Sequence, residues 1–154
     1  MTEQDQASDG SADVPDAAKV FPQIARLVSD YGYAEIGVAG FEGFAGGAAE
    51  GILFFTGDPE RYPESLDVAA ILPELSKAFP QRFDIGLVRR EAETALQLKF
   101  GFGAWPALVF LRGGGYVGTL TGMRNWDEYL REIGVLLAAP TSRPPSVGVA
   151  VEAP

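Results

Sequence analysis

The sequence predicts an α/β fold in which a mixed central sheet is flanked by helices. Three observations carry this. Residues 51–56 (GILFFT) form a short continuous apolar run, the mark of a strand covered on both faces. Residues 83–88 (FDIGLV) supply a second such strand after a helical stretch. Residues 107–111 and 116–121 then flank Gly113, Gly114 and Gly115, which reads as a β-hairpin.

The elements follow in order. Residues 1–18 are polar and acidic with few large apolar groups, the composition of a disordered arm. Pro22 suits the first turn of a helix, and Ile24, Leu27 and Val28 recur on one of its faces; Gly32 closes it. Residues 34–38 alternate as a short strand, and 40–47 make a helical turn with Phe41 and Phe44 on one side. After GILFFT, a glycine and two prolines keep 57–64 in a loop, and a helix starts near Ser65 or Asp67 and runs to Phe79. Pro73 lies inside it, where a proline deletes one backbone hydrogen bond and kinks the helix. Residues 91–100 form a helix whose first-turn acids suit its dipole, ended by Gly101 and Gly103. Pro106 opens the first hairpin strand, a position proline tolerates because it has no N–H to donate. The Trp105-Pro106 bond is open to either isomer. A closing helix spans 125–137, with Asn125 as N-cap and Trp126, Tyr129, Leu130, Ile133 and Leu137 on its apolar face. Residues 140–154 are proline-rich without helical period, a flexible tail. The domain proper is thus 19–139.

Composition excludes much chemistry. The chain of 154 residues contains no cysteine and no histidine. Disulfides, dithiol redox exchange, thiolate nucleophiles and a Ser-His-Asp triad are therefore ruled out, and so is nearly all zinc, iron–sulfur and haem ligation. A site for Mg²⁺ or Ca²⁺ built from carboxylates alone stays open. No apolar run approaches the roughly 18 residues that span a bilayer. The first residues carry neither basic groups nor an apolar core, so no secretory signal is expected and a cytoplasmic protein is the default. The net charge is −9, of which Glu3, Asp5, Asp9, Asp13 and Asp16 supply −5. Such a surface disfavours nucleic acid and suits a basic peptide.

The segment 100–130, FGFGAWPALVFLRGGGYVGTLTGMRNWDEYL, carries a resemblance. An apolar strand, helix, strand, helix, aromatic-X-Pro, glycine-turned hairpin and amphipathic helix follow one another in the order of a thioredoxin-like domain. More specifically, the segment resembles the thioredoxin-like hydrogenase expression/formation accessory proteins of the HupG/HyaE type, over roughly 22–137. The resemblance implies a three-layer α/β/α sandwich with a mixed sheet that lacks Cys-X-X-Cys. It implies a non-redox chaperone, without cofactor, that binds the [NiFe]-hydrogenase small-subunit precursor. The ligand would be the precursor's twin-arginine signal peptide before export, and other hydrogenase accessory proteins are further partners. Neither an enzymatic role nor membrane insertion is expected.

In a redox thioredoxin the cysteines follow the GILFFT-type strand; here Asp58, Pro59, Glu60, Arg61, Tyr62, Pro63 and Glu64 stand there. Asp58, Glu60, Glu64 and Asp67 against Arg61 give a local charge of −3. One reading makes Asp58, Glu60 and Glu64 the face for a cationic ligand, with Tyr62 and Trp105 adding apolar or cation–π contact. The other makes this a solvated loop in which Ser65 or Asp67 caps the helix. Trp105 and Pro106 likewise either present backbone to an extended peptide or only pack and turn the chain. Residues 113–118 match G-X-G-X-X-G by letter, but they join strand to strand, whereas nucleotide binding needs strand then helix. Two rivals remain: a redox-inert docking or dimerising module, marked by an apolar surface patch, and a carboxylate enzyme, marked by a buried acidic pair.

Overall fold

The computed structural model describes residues 21–145. The expected arm of residues 1–18 and the expected tail beyond residue 145 lie outside them. The order is α1 (Pro22–Ser29), β1 (Ala34–Ile36), α2 (Phe41–Gly47), β2 (Gly51–Phe55), α3 (Glu64–Lys77), β3 (Asp84–Val88), α4 (Glu93–Phe100), β4 (Ala107–Arg112), β5 (Gly115–Thr121) and α5 (Trp126–Ala138). A 3₁₀ turn, Arg90–Ala92, precedes α4.

The five strands lie in the order β1-β3-β2-β4-β5. β3 pairs in parallel with both β1 and β2, whereas β4 pairs antiparallel with β2 and β5. The sheet is mixed, as expected. All five residues of β2 are buried, and the strand's period of two divides them between two cores. Ile52 and Phe54 pack with Leu27, Leu72, Leu75, Tyr129 and Ile133, from α1, α3 and α5. Leu53 and Phe55 pack on the other face with Phe41, Ala45, Leu96 and Phe100, from α2 and α4. Helices on both faces are what turn an alternating strand pattern into a continuous apolar one. Gly86 of β3 admits this packing: a Cβ there would stand 2.6 Å from Ile36 Cγ1.

α3 starts at Glu64 without a side-chain cap, and it continues through the buried Pro73. Ser65 is fully buried instead, and its Oγ has no hydrogen-bond partner among the described residues. The hairpin turns on Gly113 and Gly114, with φ of 56° and 90°, and Gly115 already pairs with Arg112. Two successive positive φ values define the turn type that matches strand twist. α5 has a full capping box: Asn125 Oδ1 accepts from Glu128 N at 2.9 Å, and Glu128 Oε1 accepts from Asn125 N at 3.1 Å. Trp126, expected on the buried face, is 42% exposed. It is the first helical residue, ahead of the turn that Tyr129 anchors in the core.

The other end of α5 has no basic residue in its last turn, and Arg112 of β4 fills that role. Its guanidinium donates to the carbonyls of Leu136, Leu137 and Ala139, and Nε donates to Glu50 Oε2 at 2.8 Å. Helix-end carbonyls lack partners within the helix, so a charged donor here is well placed. Residues 140–145 continue along the domain: Ser142 N donates to Tyr116 O at 2.7 Å, and Pro145 carbonyl lies against Gly101.

Candidate functional site

The loop between β2 and α3 and the loop before β4 are some 40 residues apart in sequence, and they meet at the ends of neighbouring strands. The Tyr62 and Trp105 rings stack with centroids 5.7 Å apart at 28°. Phe102 meets the indole edge-on at 5.5 Å and in turn packs on Phe55 at 4.7 Å. Arg61 lies over the Tyr62 ring with its Cζ 5.5 Å from the centroid. The result is a half-buried aromatic face rooted in the core of β2 and carrying a cation at its rim.

Gly57 makes the close approach possible. Its φ is +63°, and a Cβ there would stand 2.8 Å from Tyr62 Cδ2 and 3.0 Å from Trp105 Cδ1. Both the backbone conformation and the contact therefore require glycine.

The group that ties the two loops is Glu93, the first residue of α4. It is only 6% exposed. Its Oε2 accepts from Gly57 N at 3.2 Å and its Oε1 accepts from Trp105 Nε1 at 3.0 Å. Burial pushes its carboxyl above the ordinary range, against lowering by the Gly57 and Trp105 donors and the nearby Arg90 charge. The carboxylate bonds to two neutral donors and to no second acid, so it forms no acid–base pair. No group of three or more acidic side chains among the described residues is placed to hold a metal ion.

The expected site residues fall into two sets. Tyr62 and Trp105 come together, and Pro106, joined to Trp105 by a cis bond, is buried, with its carbonyl accepting from Gly122 N at 2.8 Å. The backbone N–H and C=O of Trp105 make no hydrogen bond among the described residues. The carboxylates are more dispersed. Asp58 is half-buried and turns back on its own loop, where Oδ1 accepts from Glu60 N at 3.0 Å. Its carbonyl accepts from Arg61 N and Tyr62 N. Glu60 and Glu64 are exposed, and Glu64 is close enough to Tyr129 to oppose ionisation of that phenol. Sequence reasoning missed Glu93 and Gly57. A glutamate in a helix's first turn carries the signal of a dipole partner, and nothing local marks it for burial.

A family model and three relatives identify the family. Residues 23–129 match the family model described as Hydrogenase-1 expression protein HyaE. The chain is 45% identical to the hydrogenase expression/formation protein HoxO of Cupriavidus necator over 142 residues, covering 91% of this chain and 88% of that protein. It is 42% identical to the HoxO of Azotobacter vinelandii, covering 84% of this chain and 87% of the relative. It is 34% identical to the hydrogenase expression/formation protein HupG of Bradyrhizobium diazoefficiens, with coverages of 79% and 84%. The matched region runs from α1 into α5 and includes every residue of the aromatic face. The chain belongs to the HupG/HyaE family of hydrogenase expression/formation accessory proteins.

Proposed function

We propose that this chain is a redox-inert thioredoxin-like domain acting as a cytoplasmic chaperone in [NiFe]-hydrogenase maturation. It binds the hydrogenase small-subunit precursor, through its twin-arginine signal peptide, before export. The fold part of this reading is supported by the mixed β1-β3-β2-β4-β5 sheet, the helices on both faces and the proline that opens β4. The observation that carries the functional part is the aromatic face of Tyr62 and Trp105 beside the exposed carboxylates Glu60 and Glu64.

Each half of that face suits one feature of the ligand. Arg61 over Tyr62 is an internal example of a guanidinium seated on this ring, and a ligand arginine can use the same chemistry. Glu60 and Glu64 raise the local concentration of a basic peptide and set its orientation. Trp105 offers an indole face and unpaired backbone groups to an extended chain, with Asp58 and Pro106 holding the two loops in shape. With no cysteine in the chain, the binding face stands where a redox thioredoxin keeps its dithiol. The docking-module rival calls for an apolar patch on a surface helix; on α5 the exposed Trp126 and Val135 stand about half a turn apart at ~100° per residue and form none.

The test is calorimetric titration with a small-subunit signal peptide and with its Arg-Arg to Gln-Gln variant, at two salt concentrations. Binding that needs the arginines and weakens with salt is expected. Reversal of Glu60 and Glu64 to lysine should weaken it about three- to ten-fold at low salt, in line with the modest strength of exposed charge pairs. Equal affinity for both peptides, or no binding, overturns the reading.

A further inference from the structure

The loop that carries the aromatic face on one side has a second side. There Thr56 and Pro59 join α1 and the ends of β1 and β3 in enclosing a groove of about 410 Å³. That is within the range of about 300–1,000 Å³ common to ligand sites. Phe21, Ile24 and Val28 of the α1 segment form one wall, with Leu87 of β3 and Pro59 opposite. The groove lies at the carboxyl ends of parallel strands, where open α/β sheets hold their ligands.

Its chemistry narrows the occupant. Thr56 Oγ1 already donates to Gly57 O at 2.8 Å, and Ser29 Oγ donates to Asp30 Oδ1 at 3.1 Å. Glu35 pairs with Arg89 at 3.8 Å. Arg90, at the start of the 3₁₀ turn, adds one guanidinium to the lining; the other hydrogen-bonding groups are engaged within the chain, and most of the wall is apolar. Apart from Arg90, the lining is a wall suited to aliphatic side chains. Pro59 lies between Asp58 and Glu60, so the groove opens next to the acidic loop.

We propose that this groove takes the apolar run of a basic-apolar peptide whose arginines engage Glu60 and Glu64. This rests on the signal-peptide reading and adds to it a second contact surface, on α1 and β3, for the segment that follows the arginines. Glu60 directly follows Pro59 of the groove wall, so the acidic loop and the groove adjoin.

The experiment compares two full-length variants, Ala25→Trp and Val28→Gln, with the wild-type chain by calorimetry. Ala25 lines the groove yet is exposed on α1, so the tryptophan fills the groove without disturbing the core, and melting curves verify the fold. Two peptides are used: the intact signal peptide, and one that keeps the arginines but has its apolar run replaced by serine and glycine. Each variant is expected to weaken the intact peptide by about ten-fold or more, from the loss of apolar burial, and to leave the substituted peptide's affinity unchanged. Intact-peptide affinity equal to wild type in both variants overturns the groove assignment while leaving arginine-dependent binding in place. No binding of the intact peptide to the wild-type chain overturns both. A self-association seen by sedimentation that Ala25→Trp abolishes, with peptide affinity unaltered, assigns the groove to a second copy and also overturns the proposal.

Discussion

Replacing Glu93 by glutamine probes the tie between the two loops. The wild-type carboxyl presents one oxygen to Gly57 N and the other to Trp105 Nε1. Glutamine keeps the shape but has a single acceptor, so one of these donors loses its partner and faces an amide N–H. An orphaned buried donor costs about 1–3 kcal/mol. A second contribution has the opposite sign, because the glutamine carries no charge into the buried site. The folded-state pKa of Glu93 lies above its ordinary value of 4.5, chiefly through burial. A raised folded pKa means that the fold favours the protonated acid. That contribution to stability is fully present below about pH 4.5 and is lost as pH rises through the folded pKa. Each unit of separation between folded and unfolded pKa is worth about 1.4 kcal/mol. In acid the protonated carboxyl also keeps one full acceptor and a hydroxyl oxygen that accepts only weakly, so wild type exceeds E93Q there by at most about 1–3 kcal/mol. The gap should narrow as the pH rises to neutrality. Other carboxylates are common to both proteins and cancel in the difference. The assay is urea unfolding from pH 4 to 8 in a Trp126→Phe background, so that emission reports Trp105 alone. E93Q should also shift that emission to the red as the indole loosens. A gap that widens with pH, or unchanged Trp105 emission with equal stability throughout, would refute the assignment of Glu93 as the buried tie.

Gly57→Ala should destabilise the fold by roughly 1–3 kcal/mol, since it combines a positive φ with a Cβ 2.8 Å from the Tyr62 ring. Gly103→Ala, with nothing within 4 Å of its added Cβ, should change stability by less than about 0.5 kcal/mol in the same thermal melts. Arg112→Met removes a charged donor from the α5 carbonyls of Leu136 and Leu137, from the carbonyl of Ala139 just beyond them and from Glu50, a loss of about 1.5–3 kcal/mol. Hydrogen exchange should then show fraying confined to the last turn of α5, and uniform loss of protection across the sheet would contradict the capping role.

The apolar runs of β2 and β3 were legible as strands because burial on both faces removes the need for polar alternation. The Gly113-Gly114 turn, the Asn125 N-cap and the Gly101 stop were legible because their requirements are local: a positive φ, or an acceptor three residues from a donor. The absence of cysteine and histidine likewise excluded thiol and imidazole chemistry whatever the fold. Tertiary structure decided the partners of side chains that reach across the chain. Glu93 meets Gly57 across 36 residues and Arg112 reaches Glu50 across 62, so neither bond leaves a mark in its own neighbourhood. The same holds for the α1 groove, whose walls come from α1, β1, β3 and the β2–α3 loop. Short-range backbone preferences fix the order and kind of the elements, because they act between residues a few positions apart. Which carboxylate is buried as a tie and which stays exposed depends on how the elements pack, and only the folded chain brings those groups within bonding distance.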